Sequence, residues 1–315
     1  MTMTSTTTTT ALPGLAARIA ASDLFWSFRR SPVVIAAAAV TLLLILVSAL
    51  APWIAPHDPF DLATLDLMDS ELPPAWAADG DWRYPLGTDG QARDVLSTIL
   101  YGSRVSLFVG FASVALAGVL GVSLGLVAGF FGGWLDAVIM RVADVLLSFP
   151  AILIALLING VLRGALPDGN QDSVALLVLV LSIGLTGWVQ YARTVRSSTL
   201  VERAKEYVAA ARVIGVPRLA ILLQHVLPNV MGPVLVIATI NLGLAILTEA
   251  TLSFLGVGMP STQPSLGTLI RVGNEFLFSG IWWVVIFPSA VLVVLVLAVN
   301  LLGDWLRDAL NPKLR

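Results

Sequence analysis

Cysteine is absent from these 315 residues. That excludes a disulfide framework, a thiol nucleophile and any cysteine metal site. Histidine occurs only at His57 and His225, far apart and on predicted opposite faces of a membrane, so no metal site is expected. Lysine is equally scarce. Lys205 and Lys313 both lack the G-x-x-x-x-G-K-[ST] context of a phosphate-cradling loop, so the chain carries no ATP-hydrolysing site and is not expected to be an enzyme. Charged residues make up only 12% of the chain, about half the usual share of a soluble domain. The net charge of −2 offers nothing to a polyanion, and no nucleic-acid partner is expected.

What fills the chain instead is apolar. Hydrophobic residues account for 57%, and the mean hydropathy is +0.89. They lie in uncharged runs at Val33–Ala51, Val105–Phe131, Val145–Leu162, Val174–Ala192, Val226–Thr248 and Phe276–Gly303. Each reaches the length of roughly 18 residues that marks a spanning helix. Backbone groups in lipid must be satisfied within the segment, so helix is the reading for every run. The expected fold is an all-α polytopic membrane protein with six transmembrane helices.

Six spans place both termini on one side. The leader carries Arg18, Arg29 and Arg30. The segment after the fourth span carries Arg193, Arg196, Arg203, Lys205, Arg212 and Arg218. The tail carries Arg307, Lys313 and Arg315. The positive-inside rule makes this shared face cytoplasmic. The opposite face receives the loop from Pro52 to Arg104, with nine acidic residues and three arginines.

The expected organisation follows. Residues 1–32 are a cytoplasmic leader, with a disordered threonine-rich tail. Within it, Leu15 to Phe28 reads either as an interfacial helix or as a simple polar leader. Residues 33–51 form the first transmembrane helix, too long for a signal-peptide core and without a convincing cleavage site, hence an uncleaved anchor. Residues 52–104 are an external loop, long enough to meet a partner, while Asp94 and Arg104 are expected to cap and anchor the second span. Residues 105–303 are the transmembrane core, with a cytoplasmic loop at 193–229, and 304–315 form a cytoplasmic tail.

The second span contains G-x-x-x-G spacings at Gly121, Gly125 and Gly129, which suit close helix packing in lipid. In the third, Arg141 and Asp144 are three residues apart and can pair on one helix face, as a structural lock rather than a proton relay. Pro150, after Phe149, should kink that span. Glu249, near the end of the fifth span, has two readings: a gating carboxylate facing a pathway, or a buried one holding helices together.

The most charged short loop is Glu206 to Asn229, reading EYVAAARVIGVPRLAILLQHVLPN. Ala209, Ala210 and Ala211 sit on one predicted helical turn. Gly215 stops that helix, and Pro217 fits the first position of a second. The second helix is expected to break at Pro228. Arg203, Lys205, Glu206, Arg212 and Arg218 can set the register of a docked partner by charge.

This spacing resembles the EAA motif of ABC-importer permeases. The motif's alanines fall at Ala210 and Ala211, its glycine at Gly215, and its Leu-Pro at Leu227 and Pro228. Two positions depart. The glutamate slot holds Ala209 and the isoleucine slot holds His225; Glu206, about one turn earlier on the same face, could take the glutamate's place. The wording around Glu206 to Gly215 is similar to the dipeptide/oligopeptide/nickel branch. So are LGTDGQARDVLSTILYGSRVSL from Leu86, the segment Glu249 to Gly258, and the closing NLLGDWLRDALNPKLR, where Asn311 replaces an aspartate. Leu266 stands where the branch has a tryptophan.

The resemblance implies a MetI-like, type I importer permease core of the second-permease (DppC/OppC-like) kind in the bacterial inner membrane. It implies a homologous second permease, two cytoplasmic ATPases holding ATP and Mg, an extracytoplasmic substrate-binding protein and surrounding membrane lipid as partners. This chain itself would bind no cofactor. The ATPase-coupling residues would be Glu206, Ala209, Ala210, Ala211, Arg212, Gly215, Val216, Pro217, His225, Leu227 and Pro228. Phe149, Pro150 and Glu249 would be pathway or gating candidates, and the cargo would be di- or oligopeptides. An ion-coupled secondary transporter is the alternative. It calls for membrane-buried ionisable relays, for which Glu249, Arg141 and Asp144 are the candidates.

Overall fold

The computed structural model describes residues 23–61, 65–165 and 171–310. The expected disordered tail, Leu15 and Ile19 of the leader, and Asn311 of the closing motif lie outside them. Two helices open the described chain: α1 (Asp23–Arg30) and α2 (Pro32–Ala49). Ser31 caps α2 by accepting from the Val34 N–H, with Pro32 in the first turn where its missing N–H is not needed. A short α3 (Ala51–Ile54) leads into the external loop.

The long helix α4 (Val95–Phe131) has 37 residues, about 55 Å at helical rise, against a hydrocarbon core of about 30 Å. It begins ten residues before the expected span because Asp94 accepts from the Leu96 and Ser97 N–H groups and fixes an earlier start. After Gly132 come α5 (Gly133–Leu147) and α6 (Ala151–Gly164), then α7 (Gln171–Glu202) and α8 (Glu206–Val213). A continuous helix α9 (Arg218–Phe254) follows. The bundle closes with α10 (Leu266–Phe276) and α11 (Trp283–Leu310).

Among the described residues, five helices, α2, α4, α7, α9 and α11, are long and apolar enough to cross a membrane. The expected third span, Val145–Leu162, is not one kinked helix. It is the bent pair α5 and α6, turned by 99° at Ser148–Pro150, and the pair makes a sixth crossing when counted as one span. Pro150 lacks an N–H and forces Phe149 out of helical conformation, so the helix ends rather than kinks. Two further boundaries differ from expectation. α7 runs ten residues past the expected end of the fourth run at Ala192, to Glu202, and the last span begins at Trp283, because Phe276 ends the external helix α10 and Gly280 turns the chain in the left-handed region.

The tightest seam joins α4 to α7. A Cβ on Gly121 would stand 2.4 Å from the Trp188 carbonyl oxygen, one on Gly125 2.6 Å from that of Ala192, and one on Gly129 2.8 Å from that of Arg196. The G-x-x-x-G stripe is thus an internal seam. No Cβ fits between these backbones, so the three glycines set the helix separation.

The end of the external loop is folded into the bundle. Thr88, Asp89, Arg93 and Asp94 are buried. Arg93 pairs with Asp89 at 2.7 Å and donates to the Ser261 carbonyl at 3.1 Å, and the Trp283 Nε1–H donates to the Thr88 carbonyl at 2.9 Å. These signature residues hold α4 to the chain around α10 and α11. Arg104, ten residues further on in α4, is exposed, and the exposed part of the loop is aromatic, with Trp53, Trp76 and Trp82 in solvent contact.

Candidate functional site

Three residues, Arg203 to Lys205, separate α7 from α8, and side chains bind both ends of that break. Arg203 Nη1 donates to the carbonyls of Gly129 (2.8 Å) and Phe130 (3.2 Å), the orphan acceptors at the end of α4. Glu202 accepts from Lys205 Nζ and from the Tyr207 hydroxyl, both at 2.6 Å. Burial, then the hydrogen bond to the Glu202 carboxylate, pushes the Tyr207 hydroxyl above its ordinary range, so it stays a neutral donor.

α8 presents two faces. Val208 and Ala211 are buried in a cluster with Leu126 and Phe130 of α4, Tyr191 and Val195 of α7, and Ile221 and Val226 of α9. Glu206, Ala209, Ala210 and Val213 are exposed, and their spacing places them on one side of the helix. The three alanines therefore do not share a face: two are offered to solvent and Ala211 anchors the helix. Glu206 lies on the same exposed side as Ala209 and Ala210.

The end of α8 is locked by a Schellman motif. The Val216 N–H donates to the Ala211 carbonyl at 3.0 Å and the Gly215 N–H to the Arg212 carbonyl at 3.1 Å. Gly215 sits at φ +85°, and nothing lies within 4 Å of where its Cβ would be. The demand for glycine there is conformational, not steric. Pro217 occupies the N-cap of the next helix rather than its first turn.

Pro228 does not break that helix. Ile221–Val226 form a π-helical segment just before it, and the chain continues unbroken to Phe254. The wider turn absorbs the lost N–H and the clash of the proline ring. His225, in this segment, stacks on Tyr207 with ring centroids 6.4 Å apart, while its carbonyl accepts from Asn229 Nδ2 at 2.6 Å. Leu227 is half-buried against the same core as α8.

The other expected site residues fall elsewhere. Asp144 does not pair with Arg141. It takes Arg193 of α7 at 2.5 Å, while Asp136 takes Arg196 in a two-bonded fork. The sharp bend turns α5 onto α7, and this brings a remote arginine closer than the neighbouring one. Glu249 is fully buried, accepting from Ser106 Oγ of α4 and Ser253 Oγ, each at 2.7 Å. Ser106 Oγ in turn accepts from the Leu266 N–H of α10. The geometry carries the reading as a helix-joining carboxylate.

A cavity of about 200 Å³ does lie among α4, α6, α7 and α9, with Leu147 and Ala151 at the bend forming one wall. Phe149, half-exposed to solvent, and Pro150 sit between those two residues. Gln190, Tyr191, Asn241 and Thr248 supply polar groups to this cavity. Sequence reasoning passed over them, although two amides inside apolar runs were a usable signal.

The structure is a helical membrane bundle whose loop between two long spans folds into an exposed, cap-locked helix, the architecture expected of an importer permease. The comparisons agree. The family described as binding-protein-dependent transport system inner membrane component matches residues 121–315. The N-terminal TM domain of oligopeptide transport permease C matches residues 21–74. The chain is 39% identical over 274 residues to the dipeptide transport system permease protein DppC of Haemophilus influenzae, covering 87% of this chain and 88% of that one. It is 34% identical over 293 residues to the oligopeptide transport system permease protein OppC of Bacillus subtilis, covering 93% and 90%. A chain of the MetNI methionine ABC transporter shares the fold, with a TM-score of 0.52 at 21% identity over 68% of this chain and 96% of that one. The chain belongs to the binding-protein-dependent inner-membrane transport family and is a permease subunit of an ABC importer. That membership displaces the ion-coupled alternative.

Proposed function

We propose that this permease imports di- or oligopeptides and that α8 is the element through which ATP binding on partner subunits moves the bundle. The observation that carries the coupling role is the two-faced α8, exposed along Glu206, Ala209 and Ala210 and buried at Val208 and Ala211. A push on the exposed face reaches α4, α7 and α9 through packed side chains with no flexible joint between. The peptide cargo rests on the relatives that carry peptide names.

Two ATPases holding ATP and Mg would grip this loop and its counterpart on a second, homologous permease, with both termini on the ATPase side. An extracytoplasmic binding protein would deliver cargo against the exposed tryptophans of the external loop. Closing of the ATPases would draw the two α8 helices together and shift the bundle between inward- and outward-open states, each populated according to what binds it better. The cavity lined by Gln190, Tyr191 and Asn241 would border the pathway, beside Phe149 and Pro150.

Co-purification of the solubilised chain with its partners tests the reading. An ATPase and a second permease accompany the wild type, and Glu206→Ala combined with Gly215→Val releases the ATPase while the permease pair survives. Retention of the ATPase by that variant would remove α8 from the coupling role. Uptake of labelled dipeptide in whole cells that is unaffected by deleting the chain would remove the peptide cargo.

A further inference from the structure

A second cavity, of about 440 Å³, lies between the end of α4 and the loop that carries α8. It is lined by Phe130, Phe131, Arg203, Ala204, Arg212 and Arg218. Three guanidinium groups line it and no carboxylate does. Arg203 uses Nη1 on the α4 carbonyls, which leaves the rest of its fork free to bind. Arg212 has its Cζ 5.8 Å from the centre of the Phe130 ring, held by cation–π attraction. Arg218 makes no ion pair or side-chain hydrogen bond among the described residues. Asp136 is engaged by Arg196, and Glu202 by Lys205 and Tyr207.

The depth of the cavity is marked by aromatic residues. Phe130 and Phe131 are the last residues of the α4 span, and Trp134, three residues on, is 73% exposed. Exposed tryptophan at a span end marks the headgroup level of a bilayer. The cavity thus places cationic forks where lipid phosphates lie, beside the half-exposed ring of Phe131. Guanidinium forks match phosphate oxygens in pairs, and basic pockets between helices at this level suit anionic headgroups. The exposed face of α8 carries Glu206, Ala209, Ala210 and Val213; Arg212, also exposed, holds its guanidinium over the Phe130 ring at the end of α4.

We propose that Arg203, Arg212 and Arg218 bind the phosphate headgroup of one anionic phospholipid from the leaflet on the α8 side. A bound headgroup bridges the end of α4, α8 and the start of α9, and so clamps the coupling helix to the bundle. The proposal needs the chain to lie in a membrane. It does not need α8 to bind an ATPase, so the two readings fail separately.

The test uses the assembled importer in nanodiscs of phosphatidylcholine containing a minority of phosphatidylglycerol. Native mass spectrometry counts the lipids retained after gentle release. Phosphatidylglycerol is expected to be retained in preference to phosphatidylcholine, with Arg218→Gln and Arg203→Gln each weakening retention about fivefold. Arg203→Gln keeps an amide donor for the α4 carbonyls, and thermal melting of each variant confirms folding. Arg218→Lys, which keeps the charge and loses the fork, should fall between. Equal retention by wild type and variants overturns the proposal. So does displacement of the lipid by inorganic phosphate together with equal stabilisation by phosphate in pure phosphatidylcholine, which identifies a free-anion site. Loss of the ATPase from Arg218→Gln with an unchanged lipid count also overturns it and assigns the arginines to the ATPase contact.

Discussion

Gly125 of α4 faces the backbone of Ala192 of α7, with a Cβ on Gly125 reaching 2.6 Å from the Ala192 carbonyl oxygen and 2.9 Å from the Val195 Cβ. Neither neighbour is the free end of a flexible side chain. Gly125→Leu therefore forces the two helices apart, and overpacking of this kind costs about 1–3 kcal/mol. A lowered melting temperature of the solubilised chain checks this. Gly133→Leu, at a position with nothing within 4 Å of its Cβ but at φ +61°, should show the backbone cost alone.

Gly215 makes the opposite demand, for conformation with ample space. Holding an L-residue with a Cβ in the left-handed region costs about 1–2 kcal/mol. Gly215→Asn should keep most ATPase co-purification, because asparagine visits that region readily. Gly215→Val should lose it, with a fall in melting temperature no larger than this backbone cost. Identical behaviour of the two variants would mean that the Schellman lock does not govern docking.

Ala209 and Ala211 are two residues apart and should respond oppositely. Ala211 is 4% exposed, so Ala211→Leu overfills the cluster beneath α8 and lowers the melting temperature. Ala209 is exposed, so Ala209→Leu leaves melting unchanged and weakens ATPase binding by obstructing close approach. Paired melting and co-purification assays separate the two effects.

Glu249 joins α4, α9 and, through Ser106, α10. Glu249→Ala strips the acceptor from two buried hydroxyls, each worth about 1–3 kcal/mol when left unpaired. Glu249→Gln keeps an acceptor and should retain both stability and transport. A Gln variant that melts normally yet fails to transport would return this residue to the pathway.

Asp144 and Arg193 are about half exposed, so their pair should be worth only about 0.2–1 kcal/mol. A double-mutant cycle on melting should find that coupling for Asp144 with Arg193 and none for Asp144 with Arg141. The reverse result would restore the local pair expected from spacing.

Much of this molecule is local, and what is local was legible. A membrane span is a property of composition over some twenty residues, so the runs around α2, α4, α7, α9 and α11 could be read directly. The turn after α8 was legible for the same reason: Gly215 answers to its own backbone torsions. Boundaries were less so. The capping of α4 by Asp94, the stop of α7 at Glu202 and the π-helical passage into Pro228 depend on side chains meeting backbone groups that the pattern alone does not bring together.

The sequence by itself thus determined the membrane class, the number of apolar runs, and the place of the exposed helix between two long spans, because hydropathy and turn chemistry act over a few residues. Tertiary structure decided which groups meet. Asp144 finds Arg193 rather than Arg141 because a 99° bend reorients α5. Glu249 finds Ser106, 143 residues away, because the helices that carry them pack side by side. Three arginines spread from 203 to 218 line one cavity because α8 folds back onto the end of α4. Electrostatic and hydrogen-bond partners are chosen by distance in space, and no spacing along the chain records that distance.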